Sequence, residues 1–233
     1  MTLFLFDIDG TLMRSGGAGR EAMVTAMDRC FGAPDAFDGV SFAGAVDPGI
    51  VGEAFARAGV AATPENLRAF RRTYLRALRP LLAQRLGEGR AAPCPGVREA
   101  VATVGAASPI GLMTGNWRRG ADLKLGLLDL HTPFQGGIGA WGDDAPERDA
   151  LLPYAWRRAR RRGLAPRRIV VIGDTPNDVR AARAGAAALR GPEVVAVVVE
   201  TGFATREELV ASQPDWMFPT MADGLDALVR LAR

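Results

Sequence analysis

Residues 3–12 read LFLFDIDGTL, an apolar run that passes directly into two acidic residues and a glycine. Apolar runs of this length are typical of strands that are buried on both faces of a parallel sheet. Residues that directly follow such a strand lie at its carboxyl end. The stretch therefore predicts a strand that delivers Asp7 and Asp9 to one edge of a sheet.

The same arrangement recurs along the chain, and it predicts the fold class. Apolar runs typical of strands occur at 3–8, 109–113, 168–172, 194–199 and 215–218, and helical patterns lie at roughly 17–31, 117–128, 147–162, 177–185 and 221–232. Strands that alternate with helices indicate an α/β protein with a Rossmann-like, doubly wound parallel sheet. The ligand site of such a sheet lies beyond the carboxyl ends of its strands.

Residues 15–90 depart from this alternation. Their apolar residues are spaced as in helices, and they include no convincing strand. We predict a helical cap domain over residues 15–90, inserted into an α/β core domain that comprises residues 1–14 and 91–233. Five arginines between residues 68 and 79 are interpreted as a solvated helix face, although an anionic partner would also fit them.

The composition excludes several classes of protein. The 233 residues carry a formal net charge of +3, which is too small to indicate a nucleic-acid partner. The N-terminal apolar run is too short for a signal peptide, and no run approaches the ~20 residues of a membrane span. Two isolated cysteines and one histidine argue against a Cys/His metal cluster and favour a reducing compartment. We predict a cytoplasmic protein that has no membrane partner.

Two acidic clusters follow predicted strands. Asp7 and Asp9 stand two residues apart, and the stretch GDTPND at 173–178 places Asp174 and Asp178 one helical turn apart. Like charges at this separation require a shared proton, exposure to water or a cation. Two clusters at the ends of adjacent strands can converge on one ion, and ligands that are all oxygen favour Mg²⁺ over zinc.

Two further features suit an anionic substrate. The stretch Thr114-Gly115-Asn116 follows a strand and can form a phosphate cradle, although it is also common helix-capping chemistry. Of the 29 basic residues, 28 are Arg and only Lys124 is Lys. A compact ammonium suits a tight pocket better than a planar guanidinium does, but a lysine that lies along a helix flank would explain Lys124 as well. Arg148, at a predicted helix start, competes for the same role.

These motifs resemble those of the haloacid dehalogenase (HAD) superfamily, in its phosphatase branch. The resemblance rests on DIDGTL at 7–12, TGN at 114–116, Lys124 and GDTPND at 173–178, and it spans residues 3 to about 186. It implies a phosphoglycolate-phosphatase-like enzyme whose helical cap is inserted after the first motif.

The resemblance implies a role for each motif residue. Asp7 would be the nucleophile that forms an aspartyl-phosphate, and Asp9 the acid and base that serves first the leaving alkoxide and then water. Thr114 would hold the phosphoryl oxygens, and Lys124 would neutralise their charge.

The resemblance also implies a metal site and a set of substrate contacts. The residues expected to bind Mg²⁺ are Asp7, Asp9 through its backbone carbonyl, Asp174 and, in support, Asp178. The residues expected to contact a small organic phosphate are Thr11, Gly115, Asn116, Arg148, Gly44 and Asp47. For the last two, which lie in the cap, a turn is the simpler alternative.

One position departs from the family pattern. Phosphoglycolate-phosphatase-like members usually carry a Lys-Pro pair just before the helix that begins here near Glu147, and this chain has Ala145-Pro146-Glu147-Arg148 instead. Either Lys124 reaches the site from the preceding helix, or Arg148 substitutes. We favour Lys124.

The predicted function is Mg²⁺-dependent hydrolysis of a small-molecule phosphomonoester. A sugar phosphomutase of the same family and a non-catalytic binding module are the alternatives. The cap has no lysine for the Schiff base of a phosphonate hydrolase, and the presence of Asp9 argues against a haloacid dehalogenase. The sequence leaves open the identity of the ester and the choice between a monomer and a homodimer.

Overall fold

A computed structural model describes residues 1–232 of the chain. Its main sheet has six parallel strands in the order β5-β4-β1-β6-β7-β8, and β2 pairs with β3 in a separate antiparallel ribbon. The strands are β1 Thr2–Phe6, β2 Met13–Arg14, β3 Ala92–Pro93, β4 Ile110–Met113, β5 Gly139–Ala140, β6 Arg168–Gly173, β7 Glu193–Val199 and β8 Trp216–Phe218.

Helices separate most of these strands. They are α1 Ala18–Phe31, α2 Asp47–Arg57, α3 Pro64–Gly87, α4 Val97–Ala107, α5 Arg118–Leu127, α6 Leu151–Arg161, α7 Pro176–Ala188, α8 Arg206–Ala211 and α9 Met221–Ala232. The predicted α/β doubly wound parallel sheet is confirmed, and each predicted strand and helix corresponds to an observed one. The sequence pattern does not predict the short strands β2, β3 and β5 or the helices α4 and α8.

The central strand β1 explains why its sequence is an uninterrupted apolar run. Phe6 lies opposite Leu112 of β4 on one side and Ile172 of β6 on the other, so the backbone of β1 is paired along both edges. Its side chains alternate between two cores. Phe4 and Phe6 join the core on one face of the sheet, and Leu3 and Leu5 join the core on the other face.

The stretch from residue 15 to residue 90 contributes α1, α2 and α3 and no strand of the main sheet. Phe55 and Phe70 pack in this region with their ring centroids 5.7 Å apart. The ribbon formed by β2 and β3 lies where the chain leaves the sheet and returns to it, because Arg14 pairs with Ala92. This stretch matches the segment predicted as a cap, and its status as a separate domain stays a prediction.

None of the helices in the described part of the chain has both the length and the apolar character that a membrane span needs.

Candidate active site

The candidate site lies at the carboxyl edge of the sheet, where three neighbouring strands end. Asp7 follows β1, Thr114 follows β4 and Asp174 follows β6. These ends border a cavity of about 220 Å³ whose lining includes Asp7, Asp9 and residues from 15–90. The structure thus brings the predicted motifs together.

Three buried carboxylates form the acidic centre of the site. Asp7, Asp174 and Asp178 each offer an oxygen atom within 4.8 Å of the others. The Thr11 hydroxyl donates to Asp174 Oδ1 at 3.1 Å, so Thr11, predicted as a substrate contact, is fully buried behind the acid. Gly10 has φ +82°, and a side chain there would collide with the Asp174 carboxylate, so the turn after β1 requires glycine.

Asp178 supports this centre by capping α7. Its Oδ2 accepts hydrogen bonds from Thr175 N at 3.0 Å, from Thr175 Oγ1 at 2.7 Å and from Asp174 N at 3.2 Å. Its Oδ1 accepts from the guanidinium of Arg148. Both oxygens of Asp178 are therefore engaged by protein groups, and its supporting role at a metal site stays a prediction.

Arg148 is a buried cation that joins two of the acids. It lies in the turn that precedes α6 and is only 4% exposed, and its Nη2 is 3.0 Å from Asp7 Oδ2 and also contacts Asp178. Burial lowers the pKa of Arg148, but the carboxylates of Asp178 and Asp7 outweigh this effect and raise it above the ordinary value. The guanidinium is therefore a permanent charge beside Asp7.

Lys124 reaches the same cavity from α5 and contacts different partners. Its Nζ donates to Asp9 Oδ2 at 2.5 Å and to Asn116 Oδ1 at 2.6 Å. Asn116 Nδ2 in turn donates to Asp9 Oδ2 at 2.8 Å and to Thr114 Oγ1 at 2.9 Å. This network orients Asp9, whereas Arg148 contacts Asp7. The two cations that the sequence presented as alternatives are both present in the site.

The acidic centre has the properties of a cation site. Burial raises the pKa of Asp7 to about 6, with Asp178 and Asp9 adding to the rise and Arg148 opposing it. Burial, Asp178 and Asp7 raise the pKa of Asp174 well above its usual range. Asp7 Oδ1 is buried without a hydrogen-bond partner among the described residues. An unsatisfied carboxylate oxygen in a set of oxygen donors fits a hard divalent cation such as Mg²⁺.

The loop at residues 43–47 of the predicted cap contacts the stretch Thr114-Gly115-Asn116, the predicted phosphate cradle, and the residue after it. Asp47 N donates to Gly115 O at 2.8 Å, and Trp117 N donates to Asp47 Oδ2 at 2.8 Å. A side chain at Gly44 would collide with Thr175, in the loop after β6. A side chain at Gly115 would collide with the carbonyl of Ala45, in the loop at residues 43–47. The two predicted glycines therefore permit the close approach of these loops.

We expect Asp47→Asn to gain stability relative to the wild type as the pH rises. Burial raises the pKa of Asp47 to about 7, against the opposing charge of Lys124. The folded protein thus favours the protonated acid, and the wild type's free energy of unfolding should fall between about pH 4 and pH 7, by at most ~1.4 kcal/mol per pH unit. Asparagine cannot ionise and escapes this loss. Chemical denaturation of both proteins at about pH 5 and about pH 8 measures the difference.

Asp35→Asn provides the matched control for this experiment, because Asp35 is an exposed acid in the same segment. An Asp47→Asn effect that has the same size at both pH values would contradict the prediction.

Several residues that line the cavity carried no recognisable signal in the sequence. They are Ser15, Met23, Phe42, Ile50, Tyr74 and Phe203. Tyr74 has the helical spacing of an ordinary core residue, and nothing in that pattern shows that it borders a site. Phe203 is 68% exposed, and its backbone N donates to Asp174 Oδ2 at 3.2 Å. A lone phenylalanine in the turn that follows the apolar run of β7 is the one feature of the sequence that could have indicated it.

A parallel α/β sheet with carboxylates, a buried arginine and a lysine gathered at its carboxyl edge has the ligand-site position and the charged groups expected of a candidate active site. The model of the family described as haloacid dehalogenase-like hydrolase matches residues 4–183, and a second model, described as HAD-hydrolase-like, matches residues 150–224. The chain belongs to the haloacid dehalogenase-like hydrolase family.

Individual proteins are similar to this chain to different extents. A phosphoglycolate phosphatase from Synechococcus elongatus is 32% identical over 143 residues, which is 60% of this chain and 60% of that protein. The solved structure of a hydrolase from Pseudomonas syringae has a TM-score of 0.69 at 19% identity and covers 100% of both chains. CbbY from Rhodobacter sphaeroides, solved in complex with phosphate, has a TM-score of 0.66 at 21% identity and covers 96% of this chain and 98% of its own. At these identities the two structures show the fold alone.

Proposed function

We propose that this protein is a Mg²⁺-dependent phosphatase that hydrolyses a small-molecule phosphomonoester through an aspartyl-phosphate on Asp7. The observation that carries the proposal is the pairing of two carboxylates with separate cations in one cavity. Arg148 contacts Asp7, and Lys124 contacts Asp9. The similarity to phosphoglycolate phosphatases supports the choice of a phosphate ester.

The two acids divide the chemistry between them. An oxygen atom of Asp7 attacks phosphorus, the bond from phosphorus to the alcohol oxygen breaks, and a proton from Asp9 passes to the departing alkoxide. Asp9 then takes a proton from a water molecule as that water attacks phosphorus. The bond from phosphorus to Asp7 breaks, and inorganic phosphate leaves with the Asp7 carboxylate restored.

The surrounding residues position the reactants and offset charge. Thr114 and the backbone of Asn116 would hold phosphoryl oxygens beside the end of β4. Lys124 holds Asp9 in place, and Arg148 keeps a positive charge beside Asp7. Asp7 and Asp174 would bind Mg²⁺, with Asp178 in support, and the bound ion would supply positive charge to the phosphoryl oxygens.

Phosphate release from a panel of phosphomonoesters tests the proposal. We expect hydrolysis of p-nitrophenyl phosphate and of at least one small metabolite ester, with more than about tenfold loss when a chelator replaces Mg²⁺. If the protein releases phosphate from none of the esters, the result would favour a non-catalytic module. Isomerisation of a sugar phosphate without phosphate release would favour a phosphomutase. The cytoplasmic location and the lack of a nucleic-acid partner stay predictions from the sequence.

A further inference from the structure

The wall of the cavity that faces the acids is contributed by residues 15–90 and is mainly apolar. Met23, Ile50 and Tyr74 line it and are each at most 5% exposed, and the half-buried Phe42 continues it. The phosphoryl group belongs with the acids and the cradle at the sheet edge. The alcohol part of a substrate therefore has to lie against this apolar wall.

Asp47 is the acidic residue that residues 15–90 contribute to that wall. Its carboxylate is 6% exposed and lines the cavity beside Gly115 of the cradle. Its Oδ2 accepts from Trp117 N, and within residues 1–232 no side chain or backbone N–H donates to its Oδ1. Lys124, whose charge lowers the pKa of Asp47, makes its ion pair with Asp9. One acceptor oxygen is thus available to whatever fills the cavity next to the phosphoester.

A buried acceptor favours some alcohols over others. A hydroxyl or ammonium group of the substrate would satisfy Oδ1, whereas an alkyl group would leave it without a partner. Above the pKa of Asp47, which burial raises to about 7, a substrate carboxylate would place a second negative charge against Asp47 in a site that is largely removed from water. This arrangement selects by repulsion as well as by attraction.

We propose that Asp47 is a specificity-determining residue that selects phosphomonoesters whose alcohol carries a hydrogen-bond donor, a hydroxyl or an ammonium group, close to the phosphoester, and that disfavours a carboxylate there. The inference rests on the proposed phosphatase function.

Arg20 is the one basic side chain that residues 15–90 contribute to the cavity lining, and it is the group that could instead receive a carboxylate. Its guanidinium stands 5.7 Å from the centroid of the Phe42 ring, and its side chain is 54% exposed. It therefore lies at the rim, whereas Asp47 is buried beside the cradle. The position next to the phosphoester belongs to Asp47.

Four two-carbon esters that differ in one group test the inference. They are 2-hydroxyethyl phosphate, 2-aminoethyl phosphate, ethyl phosphate and phosphoglycolate. We expect the wild type to hydrolyse one of the first two with a kcat/KM at least about tenfold above that for phosphoglycolate. The better of these two esters distinguishes a hydroxyl from an ammonium ligand. Wild-type preference for phosphoglycolate would overturn the inference.

The variant Asp47→Asn separates a role of Asp47 in substrate selection from a purely structural role. Its amide oxygen can still accept from Trp117 N, while its NH₂ group can donate to a carboxylate. We expect Asp47→Asn to lower KM for phosphoglycolate, so that the kcat/KM values for phosphoglycolate and for the ester preferred by the wild type differ by no more than about threefold. We expect Asp35→Asn to leave the ratio of these two kcat/KM values unchanged. An equal change for all four esters would show that Asp47 is only structural and would overturn the inference.

The outcomes also separate this inference from the proposed function. Hydrolysis of all four esters without discrimination overturns the role of Asp47 alone and leaves the phosphatase proposal standing. Hydrolysis of neither these esters nor p-nitrophenyl phosphate overturns both.

Discussion

Replacement of Asp7 by Asn abolishes phosphate release if Asp7 is the nucleophile, and we expect kcat to fall by at least about a thousandfold. An amide has the shape of the carboxylate but not its nucleophilicity. The fold should tolerate the change, because burial already raises the pKa of Asp7 to about 6 and a neutral group at this position avoids the cost of a buried charge. Steady-state assays and thermal denaturation of the same preparation measure the two effects.

The covalent intermediate gives this prediction a second readout. Acid quenching followed by mass spectrometry should detect a phosphorylated Asp7 in the wild type, and more of it in Asp9→Asn, which cannot activate water. Asp7→Asn should carry no phosphoryl group. Asp35→Asn is the control for an exposed carboxylate. More than a tenth of the wild-type activity in Asp7→Asn would exclude Asp7 as the nucleophile.

Replacement of Arg148 by Met should damage both stability and activity. The change leaves Asp7 and Asp178 buried without their shared cation, and breaking a buried ion pair in this way costs about 3 kcal/mol of the free energy of unfolding. Chemical denaturation in the presence of a chelator measures this loss without compensation by a metal. We expect activity to fall at least about a hundredfold, because the charge beside the nucleophile is lost.

Lys124→Met is the matched comparison. Its partner Asp9 has a side chain that is 23% exposed and keeps the hydrogen bond from Asn116, so the loss of stability should be smaller than for Arg148→Met. Activity should still fall, because Asp9 loses the contact that orients it. A loss of activity in Arg148→Met alone would show that the sequence-based preference for Lys124 is wrong. Arg148→Lys tests whether any cation suffices or whether the planar guanidinium, whose Nη2 contacts both Asp7 and Asp178, is needed.

Features of the fold that depend on local pattern were accessible from the sequence. The strand around Phe6 is buried on both faces, so its apolar run is continuous, and the glycine and acids that follow mark its carboxyl end. The predicted helix at 117–128 corresponds to α5 at Arg118–Leu127, because the spacing of apolar residues along one helix face is also a local pattern. In contrast, β5 consists of Gly139–Ala140, which is too short to produce any periodicity.

The site was less accessible, because side-chain partners are set in three dimensions. Sequence spacing placed Thr11 beside Asp9, and the structure turns its hydroxyl to Asp174. No pattern could assign Lys124 to Asp9 and Arg148 to Asp7, since each pair joins distant parts of the chain. The apolar wall was equally hidden, because Tyr74 has the spacing of a core residue.

The position of β1 at the middle of the sheet has a consequence for how the chain folds during synthesis. Residues 2–6 leave the ribosome well before residues 110–112 and 168–172, with which they pair. Helices α1 and α3 can associate as soon as residue 87 has emerged, because their contacts are closer in sequence. We expect the apolar strand β1 to stay unpaired along one edge until residues 110–112 have been translated and along the other until residues 168–172 have been, so the helices made in between are the first parts of the chain that can shield it.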